Sequence, residues 1–143
     1  MTLNIVDMFY SHGGYTSDSA YSTSDGGNYI PLDHVTGTYI PQAVERFNSV
    51  CRITRSVDTS TMQTGNSMDD VIIAELALSI ADSEYDKLHV DPVTGAIENK
   101  HYTVAKQYML DMYGSVVNGE LVLPIQKASG KPYFDLYVST MSA

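Results

Sequence analysis

The sequence predicts a mainly α protein: a small helical domain with an extended N-terminal arm and a short extended, β-prone C-terminal tail. Three observations carry this. A long apolar run follows Ser67-Met68-Asp69-Asp70, a helix-start pattern of the type Ser/Thr-x-x-Asp/Glu. A second stripe at helical spacing (Tyr102, Ala105, Tyr108/Met109, Met112, Val116) begins after Asn99 and stops at Asn118-Gly119. The flanks are rich in Ser, Thr, Gly, Asp and Tyr and carry too little apolar surface to form a core alone. Residues 1–40 therefore read as an extended arm or docking segment, 41–118 as the helical core and 119–143 as an extended C-terminal tail.

The N-terminal elements follow in order. Leu3, Ile5, Val6, Met8 and Phe9 make a modestly apolar start, compatible with a short helix or a strand that docks on something. Residues 11–29 hold Gly13-Gly14, Ser17-Asp18 and Asp25-Gly26-Gly27-Asn28, with Tyr10, Tyr15, Tyr21 and Tyr29 spaced through the region. This is loop or arm chemistry, since Gly supplies positive φ and Asp and Asn bond their own backbone. Pro31 and Pro41 bracket a predicted strand over 35–40. Pro41 then suits the first turn of a helix whose stripe is Val44, Phe47 and Val50/Cys51, although the stretch to Val57 also fits a strand. Asp58 to Gly65 reads as a polar linker.

The main helix is expected from about Met68 to Leu88. Between Val71 and Ala81 the polar residues are Glu75 and Ser79; with Asp82 and Asp86 they make one narrow stripe expected to face solvent. A helix apolar on its other sides must be buried by neighbours, other subunits included. Asp91-Pro92-Val93-Thr94-Gly95 is a turn, and Asn99 caps the next helix. In that helix Lys100, Lys106, Gln107 and Asp111 are expected to face away from the core. Leu121 to Ile125 is extended, with Pro124 confining it to an edge. After the Gly130-Lys131-Pro132 break come Tyr133, Phe134, Leu136, Tyr137 and Val138. These five lie in an aromatic, β-prone hexamer, 133–138, that is the expected partner-binding element, or else a strand folded back beside Leu121 to Ile125.

Charge and composition exclude several function classes. The 143 residues fit one domain and carry 17 acidic against 8 basic side chains, a formal charge of -9. Phosphate backbones and anionic membrane surfaces repel such a surface. The acidity is concentrated between Asn66 and Tyr113, and the residues from Gly114 onward are balanced. It reads as a solvated face or as a lining that repels DNA. The single Cys51 rules out an internal disulfide framework and reads as a buried, inert thiol. No run approaches the ~18 apolar residues of a membrane span, and no leader pattern opens the sequence, so synthesis in a reducing cytoplasm is expected.

No catalytic, cofactor-binding or metal-binding residues are expected. His12, His34, His89 and His101 have no metal-ligand spacing, and the default for each is a solvated or capping role. Asp18, Asp25 and Asn28 offer loop oxygens suited to calcium, but without the spacing or closing Glu of a calcium loop. Asp82 and Asp86 share a helix face but read as surface charges. Phosphate-loop and nucleophile-elbow patterns are absent.

Residues 68–123 resemble the last two helices of tailed-phage head–tail connector (adaptor, or head-completion) proteins. The likeness rests on Ile73-Ala74-Glu75-Leu76-Ala77-Leu78-Ser79-Ile80-Ala81-Asp82, a variable loop, the helix start Tyr102-Thr103-Val104-Ala105, and the closing Gly119-Glu120-Leu121-Val122-Leu123. The residues before Asn66 depart from the family pattern, which has helices of its own there. The resemblance implies a virion protein that forms a homo-oligomeric ring, usually of twelve copies. Such a ring joins the portal protein to the next neck or tail protein and passes DNA through its lumen without specific binding or contact with a membrane. Two other classes remain open. One is a different virion structural subunit, such as a tail-tube, tail-terminator or capsid-decoration protein, all richer in strand. The other is a small cytoplasmic regulatory binding module.

Overall fold

The computed structural model describes residues 3–19, 28–85 and 87–114, and they are mainly helical. The tail hexamer of 133–138, Val116, the Asn118-Gly119 stop, Tyr21, Asp25 and Asp86 lie outside these residues. The chain divides into two compact units. One holds residues 1–45 with 55–105, the other 46–54 with 106–143.

In the first unit, the arm expected over 1–40 is helical at two places. Helix α1 (Ile5–Gly13) is capped by the Asn4 side chain, which accepts from the Asp7 amide at 2.8 Å, and Asp7 suits the positive end of the helix dipole. Gly14 ends it at φ +73, a left-handed conformation that glycine adopts without strain, and its N–H bonds the Tyr10 carbonyl. Ile5, Met8 and Phe9, at i, i+3 and i+4, are buried, which is why this short segment is ordered as a helix. The chain then runs through Tyr15, which is buried, to a parallel bridge between Thr16 and Tyr29.

The strand predicted over 35–40 is helical instead. A short helix α2 (Leu32–His34) leads into a π-helical turn (Val35–Tyr39) and on into α3 (Ile40–Cys51). Pro41 explains the wide turn. In a regular α-helix its ring would clash with the carbonyl four residues back, at Gly37. Here the preceding ladder bond spans five residues, from the Ile40 N–H to the Val35 carbonyl. Val35 and Tyr39 are buried, so the apolar alternation that mimicked a strand is the inner face of a helical turn.

Helix α4 (Ser67–Glu84) is the centre of the first unit, and α1 packs on it. Its cap lies one residue earlier than the capping-box reading placed it. The Asn66 side chain accepts from the Met68 and Asp69 amides at 3.0 and 3.1 Å. Asp70 instead reaches out to the Thr64 amide and hydroxyl at 2.8 and 2.6 Å, and the fully buried Asp69 pairs with Arg55. The helix stops at Glu84, short of the expected Leu88, and residues 89–98 form an antiparallel hairpin of β1 (His89–Val90) and β2 (Ile97–Glu98). Asp91 organises its turn by accepting from the Val93 and Thr94 amides. The hairpin leaves Val90, Val93 and Ile97 exposed. As predicted, Asn99 caps α5 (Lys100–Tyr113) by accepting from the Tyr102 amide at 3.1 Å; its amide nitrogen also donates to the Ser79 carbonyl of α4 at 2.9 Å.

The second unit is built from the last part of α3 and most of α5. Phe47, Val50, Cys51 and Met109 are buried in it, with the Phe47 and Tyr113 rings edge to face at 5.8 Å. Met112, counted in the apolar stripe, is exposed, because its position turns the side chain away from that core.

Candidate functional site: a buried glutamate between two histidines

The polar stripe expected to face solvent on α4 does not. Glu75 is 5% exposed and Ser79 4% exposed. Glu75 sits mid-helix, where α1 and the first turn of α5 both approach, and each neighbour supplies an imidazole. His12 ends α1 with Nδ1 at 3.1 Å from Glu75 Oε2, and His101 opens α5 with Nδ1 at 2.6 Å from Oε1. The cluster extends two turns along α4. His101 Nε2 lies 3.7 Å from Asp82 Oδ2, and the Tyr15 hydroxyl donates to Asp82 Oδ1 at 2.6 Å. Ser79 satisfies its hydroxyl within the helix by donating to the Leu76 carbonyl.

The electrostatics follow from this geometry. Burial pushes the Glu75 carboxyl up, but the hydrogen bonds and charges of His101 and His12 outweigh it and hold the group below its ordinary value. His101 is raised, first by its hydrogen bond to Glu75; burial opposes this, the charges of Glu75 and Asp82 add to it, and nearby Lys100 opposes it. Burial, reinforced by the bond to Asp82, raises the Tyr15 phenol well above the usual range. Tyr39 is raised the same way by burial and by donating to Glu84. Burial also pushes Tyr10 up to about 12, and its hydroxyl donates to the Ile30 carbonyl at 2.7 Å. These tyrosines are locks between segments, held protonated.

Beside the cluster lies a pocket of about 420 Å³, whose lining includes Tyr15, Asn28, Asp82, Lys87, Lys100 and His101. Its polar walls differ from the mainly apolar walls of small-molecule sites. Among the described residues no group of three or more His, Cys, Asp or Glu has the arrangement of a metal site, and no helix is long and apolar enough to cross a membrane. Of the calcium candidates, Asp18 and Asn28 flank the Thr16–Tyr29 bridge, where the Asp18 amide donates to Thr16 Oγ1 and the Asn28 carbonyl accepts from the Thr16 amide. The arrangement can hold and exchange protons near neutral pH and can tie three segments together.

Sequence reasoning placed Glu75 and Asp82 on one solvated stripe and gave His12 and His101 solvated or capping roles, and the fold brings the four together. The missed signal was Glu75 itself: a lone carboxylate flanked by apolar residues on both sides along α4 needs a cationic partner, and two histidines lay in neighbouring segments. The chain matches no family model, no curated protein and no solved structure.

Proposed function

We propose that this chain is a structural subunit of a tailed-phage head–tail connector ring, a virion protein that joins the portal to the tail. The observation that carries the reading is the α4–hairpin–α5 succession along the chain. In it α4 is buried along most of its length, and the Asn99–Ser79 bond couples it to the start of α5. These are the two helices on which the family resemblance rests, and the exposed apolar hairpin joins them. The mainly helical architecture supports a connector over the strand-rich tail-tube, tail-terminator and decoration subunits. The formal charge of -9 suits a lumen that passes DNA without holding it. The aromatic tail segment, Tyr133 to Val138, is the proposed contact to the next ring.

The test is to mix the purified protein with the portal rings encoded by the same genome and to image the product by negative stain. A ring of this subunit seated on the portal is expected. A chain that stays monomeric or dimeric and never associates with the portal overturns the reading. Deleting 131–143 is expected to keep the far-UV helix signal and portal binding while abolishing attachment of the next ring; a truncated chain that still attaches it removes the tail from that contact.

A further inference from the structure

One carboxylate holds two distant pieces of the chain. The two oxygens of Glu75 are divided between His12, 63 residues away, and His101, 26 residues away. His101 lies between two carboxylates, with Nδ1 on Glu75 and Nε2 facing Asp82. A neutral imidazole carries one N–H and can satisfy one of these. Only the imidazolium turns an N–H toward each, donating to Glu75 and facing Asp82 as a charge pair at 3.7 Å, and the neutral form turns a lone pair toward one carboxylate. Asp82 is fixed in turn by the Tyr15 hydroxyl, so the state of His101 reaches the segment that follows α1.

We propose that Glu75, His101 and Asp82 form a proton-operated clamp that fastens the start of α5 and the Tyr15 segment to α4 in mildly acidic solution and loosens them as the solution becomes alkaline. The charged and titratable groups facing the clamp are His12 from α1, Tyr15 from the following segment, Glu75 and Asp82 from α4, and Lys100 from α5, with Lys87 on the wall of the neighbouring pocket. Lys100 works against the imidazolium and brings its loss to a lower pH. The linkage has two edges. His101 is raised above its ordinary 6.5, so its contribution is complete below that value and is lost as pH climbs through the raised one. Glu75 is lowered below 4.5, so its contribution is complete above that value and is lost as pH falls through the lowered one. The clamp is therefore strongest between the two ordinary values. It depends on these contacts alone and stands apart from the connector reading.

Amide hydrogen exchange on the full chain tests it, from about pH 5.5 to about pH 8.5, with rates corrected for intrinsic exchange. Protection of the Thr103 amide at the start of α5 and of the Thr16 amide beside Tyr15, bonded to the Asn99 and Asn28 carbonyls, is expected to fall severalfold relative to the central α4 amides. The variant His101→Gln, neutral at every pH, is expected to flatten that dependence. An NMR titration of the wild-type imidazoles reads the same group without any substitution. His101 should titrate above 6.5, moving down in Glu75→Gln if that variant folds. A flat profile of the Thr103 and Thr16 amides in the wild type, an unchanged pH dependence in His101→Gln, or a His101 titration at or below the ordinary value overturns the proposal.

Discussion

Gly13 sits at the end of α1 where the helix comes closest to α4, and adding one methyl there tests that approach. A Cβ at this position would fall 2.2 Å from Leu78 Cδ2 and 2.9 Å from Tyr15 Cδ2. Carbon pairs prefer about 3.5–4.0 Å, so the first contact overlaps by more than an ångström. Two effects compete. Gly to Ala favours a helix interior by about 1 kcal/mol, and less at a terminal residue. Against it, Leu78 is fully buried and must leave its rotamer, at a cost of about 0.5–1.5 kcal/mol. The Tyr15 ring cannot swing aside freely, because its hydroxyl is held by Asp82. Overpacking of this kind costs about 1–3 kcal/mol, so Gly13→Ala should lose roughly 1–2 kcal/mol net. Urea unfolding measures it as a lower midpoint at unchanged slope. Leu78→Ala alone should lose about 2–5 kcal/mol. In the double variant the new methyl enters the space that Leu78 vacates, so the loss should be smaller than the sum. A neutral or stabilising Gly13→Ala, or additivity within ~0.5 kcal/mol, would show that α1 and α4 do not meet as described.

Two further substitutions separate the structure from the simpler reading of α4. Glu75→Leu leaves two imidazoles without their carboxylate. His12 is partly exposed and loses little, whereas His101 is more enclosed, so about 2–4 kcal/mol should be lost, less than for the unpartnered buried charge of Leu76→Asp. A change under ~0.5 kcal/mol in urea unfolding would return Glu75 to a solvated stripe. Asn66→Ala should cost about 1 kcal/mol by thermal unfolding while Ser67→Ala costs almost nothing; the reverse order would restore the cap to Ser67.

The helices were legible where periodicity and end signals agreed. Asn99 capped α5 as expected, and Phe47, Val50 and Cys51 lie buried on α3 at the spacing read from the sequence. Legibility failed where local and tertiary preferences diverged. Val35 to Ile40 has the β-branched and aromatic content of a strand, but Ile40 is held in the helical region by packing even though a proline follows it. At the start of α4 two adjacent residues, Asn66 and Ser67, were both competent caps, and the pattern favoured the wrong one because Asp70 was counted as its partner. Thr64 takes Asp70 instead, a contact from before the helix that no helical template contains. The histidine–glutamate cluster was invisible for a different reason. Its members come from three segments far apart in sequence, and periodicity along one helix does not say which neighbours will cover it.

That cluster also changes what the acidic composition can mean. A stripe of carboxylates along α4 was the natural candidate for a surface that repels DNA. Asp69 is instead buried against Arg55, Asp70 is bound to Thr64, Glu75 to two histidines and Asp82 to Tyr15. These charges are neutralised or enclosed where they sit, and enclosed pairs contribute little to the field outside. Any repulsion of a phosphate backbone must therefore come from the carboxylates left near solvent, such as Asp91 and Glu98 of the hairpin and, in the second unit, Asp111. The hairpin thus combines exposed apolar side chains, Val90, Val93 and Ile97, with exposed negative charge. Within the connector reading, α4 is largely enclosed, and the exposed segment joining α4 to α5 is, like the 133–138 segment, a proposed contact surface.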